Sequence, residues 1–63
     1  MNAEILKQVA LCKQVTTDLD CLLEEVIEGS PTPDQVANML LGIIQLTNVR
    51  FSKLDRLLNT NSL

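Results

Sequence analysis

The chain has 63 residues, a formal net charge of −3 and 46% hydrophobic residues, yet Phe51 is its one aromatic side chain and it has no histidine. A chain this short buries only about 60% of its unfolded surface, so it holds one domain at most and needs a staple: a disulfide, a metal or a partner subunit. Missing histidine disfavours zinc sites and the commonest general base, and the negative balance disfavours nucleic acid as the default partner. With neither Trp nor Tyr, any core is built from Leu, Ile and Val, which suits packed helices.

The first predicted element is a helix from residue 3 to residue 28. Ile5, Val9, Cys12, Thr16, Leu19, Leu23 and Val26 follow one another in alternating steps of four and three, the spacing of a heptad seam. Val15 and Leu22 widen the stripe on one side, Leu6 and Ile27 on the other. Lys7, Gln14, Asp18, Glu24, Glu25 and Glu28 fall on the opposite, solvent face. Gly29 stands where a left-handed residue is wanted just past a helix.

Residues 29–32 form the predicted turn, and a second helix is expected over 33–58 with a frayed tail over 59–63. Thr32 is placed to cap it, and Gln35 completes a Thr-x-x-Gln capping box. Pro33 sits where a missing N–H costs nothing, and Asp34 complements the helix dipole. The seam then reads Ala37, Leu40, Ile44, Thr47, Phe51, Leu54, Leu58. Asn38, Gln45, Ser52 and Asn59 recur every seven residues on the solvent side. A turn this short forces antiparallel neighbours, so the fold class is an all-α helical hairpin.

The other staples fail on spacing. Cys12 and Cys21 are nine residues apart, about 900° of helix, and so lie on opposite faces. They read as reduced thiols of a cytoplasmic protein, Cys12 in the core and Cys21 outside the seam. The most apolar run, Val36 to Leu46, is interrupted by Asn38 and Gln45 and falls short of the roughly 20 apolar residues that span a membrane. Met1-Asn2-Ala3-Glu4 lacks the basic start of a secretory leader.

Oligomerisation is left. Val36, Ala37, Met39, Leu40, Leu41, Ile43, Ile44, Leu46 and Val49 cover most of the circumference of helix 2, more than one partner helix can bury. The expectation is a homodimer forming a four-helix bundle, with Val36, Met39, Leu40, Ile43, Ile44, Leu46, Phe51 and Leu54 in self-association. The turn end carries Asp18, Asp20, Glu24, Glu25, Glu28 and Asp34, a charge of −6 with no compensating base. The open end carries Lys7, Lys13, Arg50, Lys53 and Arg56 against Glu4 and Asp55, a charge of +3. A second hairpin packed head to tail would relieve the repulsion between Asp20, Glu24 and Glu28. Thr16 and Thr47 fall at similar height on the two seams and are expected to pair through their hydroxyls or bond back to their own helices. Gly42 costs roughly 1 kcal/mol against Ala in a helix, which a close helix crossing would explain, the alternative being an exposed, tolerated glycine.

No motif carries chemistry. There is no Gly-rich phosphate loop, and neither thiol has a histidine to activate it. The chain is therefore expected to be no enzyme, with no cofactor, metal or catalytic residue. Arg50, Lys53 and Arg56 make a short basic edge, and a Rop-like bundle reads RNA from helix faces. Three bases interrupted by Asp55, without aromatic neighbours, are a weak footprint.

The length, the Met-Asn-Ala-Glu start running straight into a helix and the helix from Val36 to Leu58 resemble the small helical proteins of lambdoid bacteriophage early regions, notably the exo–xis segment. The resemblance implies a non-enzymatic regulator in the host cytoplasm, acting on host physiology or on the choice between lysis and lysogeny. No site residue carries over from the resemblance. Read from the residues themselves, the partners would be itself and a host or phage protein, met through Asp20, Glu24, Glu25 and Glu28, through apolar residues of helix 2 such as Met39 and Leu46, or through Arg50, Lys53 and Arg56. The alternatives are an RNA-binding bundle and an antitoxin or chaperone of a neighbouring gene's product.

Overall fold

The computed structural model describes residues 2–61, and side chains through residue 60. Two helices account for nearly all of it: α1, Ala3–Gly29, and α2, Pro33–Asn61. Asn2 caps α1, its side-chain Oδ1 accepting from the Glu4 N–H at 2.7 Å. Both halves of the capping box form on α2. The Gln35 N–H donates to Thr32 Oγ1 at 3.2 Å, and the Thr32 N–H donates to Gln35 Oε1 at 2.9 Å.

The ends of both helices differ from the expected bounds. Gly29 is still helical, and Ser30 takes the left-handed conformation, φ 49° and ψ 53°. Pro31 disfavours the right-handed helical region for the residue before it, so α1 ends ahead of Ser30, whose left-handed conformation is rare for a serine. At the other end α2 does not stop at residue 58. It continues through Asn61, with Thr60 Oγ1 donating to the Arg56 carbonyl at 2.8 Å. Residues 62–63 of the expected tail lie outside the described residues.

The helices lie side by side in one layer measuring 49 × 17 × 10 Å. A layer one helix thick has two open faces and a single line of contact. On α1 that line is Ile5, Gln8, Val9, Leu11, Cys12, Val15, Asp18 and Leu22; on α2 it is Val36, Met39, Ile43, Thr47, Arg50, Leu54 and Leu57. Among the described residues Cys12 is the only buried apolar side chain, and the most buried residue is polar: Gln8, at 1% exposure. Its amide donates to Glu4 Oε1 at 3.1 Å.

The helix–helix contact is thus rotated by about one residue from the expected seams. Val15 and Leu22 replace Thr16 and Leu23; Val36, Ile43, Arg50 and Leu57 replace Ala37, Ile44, Phe51 and Leu58. The rotation brings together Asp18 and Arg50, whose carboxylate and guanidinium meet at 3.3 Å. Asp18 was placed on the solvent face and Arg50 on a free basic edge, at opposite ends of the charge gradient. Both are half-buried and paired instead, which leaves −5 at the turn end and +2 at the open end.

Because the Thr32 hydroxyl satisfies one of the orphan N–H groups opening α2, Thr32→Ala should destabilise the fold by about 1 kcal/mol. Urea denaturation at fixed protein concentration measures it, and Thr32→Ser should recover most of the loss.

Candidate interaction site

Rotation of the contact line turns the turn-proximal part of the expected α1 seam and much of the α2 seam onto the same side of the layer. Leu19 of α1 stands beside Leu40 and Ile44 of α2, around a shallow groove of about 230 Å³ completed by Val15, Ile43, Thr47 and Asn48. Leu23 and Val26 continue this stripe towards the turn at helical spacing, and Phe51 and Leu58 continue it towards the open end. Leu23 is 55% exposed, Ile44 54% and Phe51 51%. A band of apolar side chains therefore faces outward, two helices wide in the turn-proximal half and carried by α2 alone towards the open end. Leu6 and Ile27 flank it on the outer edge of α1, Ile27 being 69% exposed.

A polar defect lies in this face. The Thr47 hydroxyl is buried and has no hydrogen-bond partner, and Thr16 is exposed. The expected threonine pair does not form within one hairpin, nor does Thr47 bond back to its own helix. The rotation explains this, since it moves Thr16 off the contact line while Thr47 stays on it. An unmade hydrogen bond of this kind costs about 1–3 kcal/mol.

The opposite side holds a different groove. It occupies about 510 Å³ near the turn-proximal half, between Asp18, Cys21 and Glu25 of α1 and Met39, Gly42 and Leu46 of α2, with Leu22 and Ile43 at its base. It runs on towards the turn past Pro31, Gln35 and Asn38. The Gly42 explanation by a close helix crossing is overturned: a Cβ built there meets nothing within 4 Å. Gly42 lines the groove, and its missing side chain keeps that groove open. Cys21 is exposed at its edge, while Cys12 is buried; both are free.

The residues expected to drive self-association therefore divide among three surfaces. Leu40, Ile44 and Phe51 lie on the apolar face. Val36, Ile43 and Leu54 are half-buried between the helices, where they serve the hairpin itself. Met39 and Leu46 line the second groove. The acidic surface is open: Asp20, Glu24, Glu25 and Glu28 are all exposed. The basic edge shrinks to Lys53 and Arg56, because Arg50 is held by Asp18. Among the described residues no group of three or more His, Cys, Asp or Glu is placed to hold a metal ion, and no helix is long and apolar enough to cross a membrane.

Sequence reasoning missed Gln8, whose polarity hid it. Its signal was the seven-residue spacing Gln8, Val15, Leu22, which is the contact line of α1. No protein-family model, curated protein or solved structure matches the chain.

Since Gly42 stands in open space inside a helix, Gly42→Ala should stabilise the hairpin by about 1 kcal/mol. The same change should leave solution mass unaltered, because Gly42 lies on the side away from the apolar face. Thermal unfolding at matched concentration and sedimentation of the variant check both.

Proposed function

We propose that this chain is a non-enzymatic protein–protein interaction module that works as a homodimeric four-helix bundle. It buries the apolar face against a second copy and offers the Gly42 groove to a different protein. The observation that carries this reading is the displacement of each helix's apolar stripe from the contact between the helices. In a four-helix bundle every helix has two neighbours and points its main stripe at the bundle axis between them. The flank of that stripe then meets the neighbour within the hairpin. Val15, Leu22, Val36, Ile43 and Leu57 occupy such a flank, and Leu19, Leu23, Leu40, Ile44 and Phe51 point where an axis would run. A second hairpin on this face would cover the stripe and bring polar groups to the orphaned Thr47 hydroxyl.

The groove on the other side suits a partner of definite chemistry. Its floor is aliphatic and thioether-lined, with Met39 adaptable in shape, and Glu25 and the neighbouring Glu24 and Glu28 give it an acidic surround. A segment carrying aliphatic side chains followed by Lys or Arg complements it. The likeness to phage early proteins supplies a setting, the cytoplasm of a bacterial host. The basic edge, reduced to Lys53 and Arg56 beside Asp55, favours a protein partner over RNA.

Sedimentation equilibrium with reductant present tests the assembly. The wild-type chain should sediment as a dimer at micromolar concentration. Ile44→Asp, which would bury an unpaired carboxylate, should weaken association by 100-fold or more, on the order of 3 kcal/mol. A folded wild-type monomer at high micromolar concentration would refute the bundle. A photoactivatable maleimide on exposed Cys21 reads the second surface: it should crosslink to a protein through an apolar, basic segment. Crosslinks to RNA instead, with steeply salt-dependent binding, would replace the protein-partner reading.

A further inference from the structure

The geometry points to one particular dimer: a second copy of this chain laid head to tail on the apolar face, with α1 against α1 of the partner copy and the turns at opposite ends. This inference rests on the bundle reading above and decides among its possible symmetries.

A two-fold dimer of hairpins, with every adjacent helix pair antiparallel, has two forms. In one the turns share an end, and α1 neighbours the partner copy's α2. In the other the turns are at opposite ends, and each helix neighbours its own copy. The outer edge of α1 discriminates between them. It carries, seven residues apart, Leu6, Lys13, Asp20 and Ile27, all exposed. The outer edge of α2 carries Asp34, Leu41, Asn48 and Asp55, also exposed.

The level of each residue follows from the hairpin, in which Leu19 stands beside Ile44 and Cys21 beside Gly42. With the turns at one end, the outer edges would oppose Leu6 to Asp55, Lys13 to Asn48, Asp20 to Leu41 and Ile27 to Asp34. Three of those four pairings set an apolar side chain against a carboxylate, and the fourth leaves Lys13 without a countercharge.

With the turns at opposite ends, the outer edge of α1 meets itself reversed. Leu6 then opposes Ile27 of the second copy, and Lys13 opposes Asp20 of the second copy. The dyad repeats both pairings, so two ion pairs are flanked by two apolar pairs. An isologous interface requires this kind of self-complementarity, and e-type flanking charges set orientation in helix assemblies. The same register sets Leu40 against Phe51, and Ile44 against Thr47, across the α2 pair. Thr16 and Thr47 then lie close to the dyad, so the unpartnered Thr47 hydroxyl faces the second copy. On the outer edge of α2 the same arrangement opposes Asp34 to Asp55 and Leu41 to Asn48 of the second copy, which offsets part of this gain; α1 makes the selection. The remaining −5 and +2 at the two ends of each hairpin also fall alongside one another.

Two experiments test the arrangement. Ser30→Cys in a Cys21→Ser background puts one spin label at each turn. Pulsed dipolar spectroscopy should read about 40 Å between turns, from the helix rise over the residues separating them. A distance below about 20 Å would put the turns together and overturn the inference while leaving the bundle standing. A monomeric mass with no dipolar coupling would overturn the inference together with the bundle. The second experiment swaps charge. Lys13→Asp and Asp20→Lys should each weaken dimerisation about tenfold, since each change touches two symmetry-related pairs. The double variant should restore it. Failure of the double variant to recover affinity, with helicity intact by circular dichroism, would overturn the Lys13–Asp20 contact.

Discussion

The hairpin is organised by a mismatch between where its apolar side chains are and where its two helices touch. Fully burying a Leu, Ile or Phe side chain is worth about 1.5–3 kcal/mol, and the single layer forgoes about half of that for Leu23, Ile44 and Phe51, which are half-exposed. The line of contact meanwhile mixes Gln8, Asp18, Thr47 and Arg50 with its aliphatic residues. A hairpin stabilised only by its own contacts would bring Leu23, Ile44 and Phe51 inside and leave those polar residues out. The mismatch follows if each helix has a second neighbour beyond the hairpin, because a helix with two neighbours keeps its stripe for the axis between them. Domains are built from at least two packed layers, and here one layer is present.

The polar residues on the contact line also do something for the hairpin. Aliphatic flanks such as Val15, Leu22, Val36 and Ile43 tolerate sliding by a turn with little change in energy. A half-buried ion pair does not, since parting Asp18 from Arg50 would leave a poorly solvated charge on each helix. Their contact at 3.3 Å fixes the level of α1 against α2, and the capped turn fixes it again from the other end. Thr32 and Gln35 close the N-terminus of α2 while the chain reverses at Ser30, just before Pro31, so the connection is short and stiff. Register set twice in this way is what allows the outer edges to carry a definite pattern of charge to another molecule.

Local features were legible in the sequence because local physics decides them. The capping box needs only residues three apart, and the heptad steps of both stripes need only helical periodicity. The four-three spacing shows that a stripe is covered, but it is silent about which neighbour covers it, and that is why the contact line came out rotated by one residue. Gln8 was hidden for a related reason: a polar residue with a sequence-local partner, Glu4, can be buried without breaking any rule, yet it does not announce itself in a hydropathy pattern. Arg50 was assigned to the open end by counting along the chain, whereas a long guanidinium side chain reaches back to a carboxylate several residues nearer the turn. Gly29 fits the left-handed terminus by residue type, but that conformation is taken one residue later, by Ser30.

Gly42 is the residue that the hairpin and the proposed dimer together leave unexplained by stability. It weakens a helix that gains nothing from it internally, and it lies away from the face assigned to the second copy. What it does is hold open a groove between Cys21 and Leu46, beside the acidic end of the hairpin. In a head-to-tail dimer there would be two such grooves, one near each end and on opposite outer faces, each flanked by the acids of its own turn. Two equivalent grooves separated along a rigid bundle favour a partner that is itself dimeric, or that repeats its docking segment. Binding at the second groove is then intramolecular, and its strength is set by effective concentration as well as by contact chemistry. Self-association and partner binding would thus be linked through geometry: losing the apolar interface would leave each groove intact but abolish the pairing that makes weak contacts add.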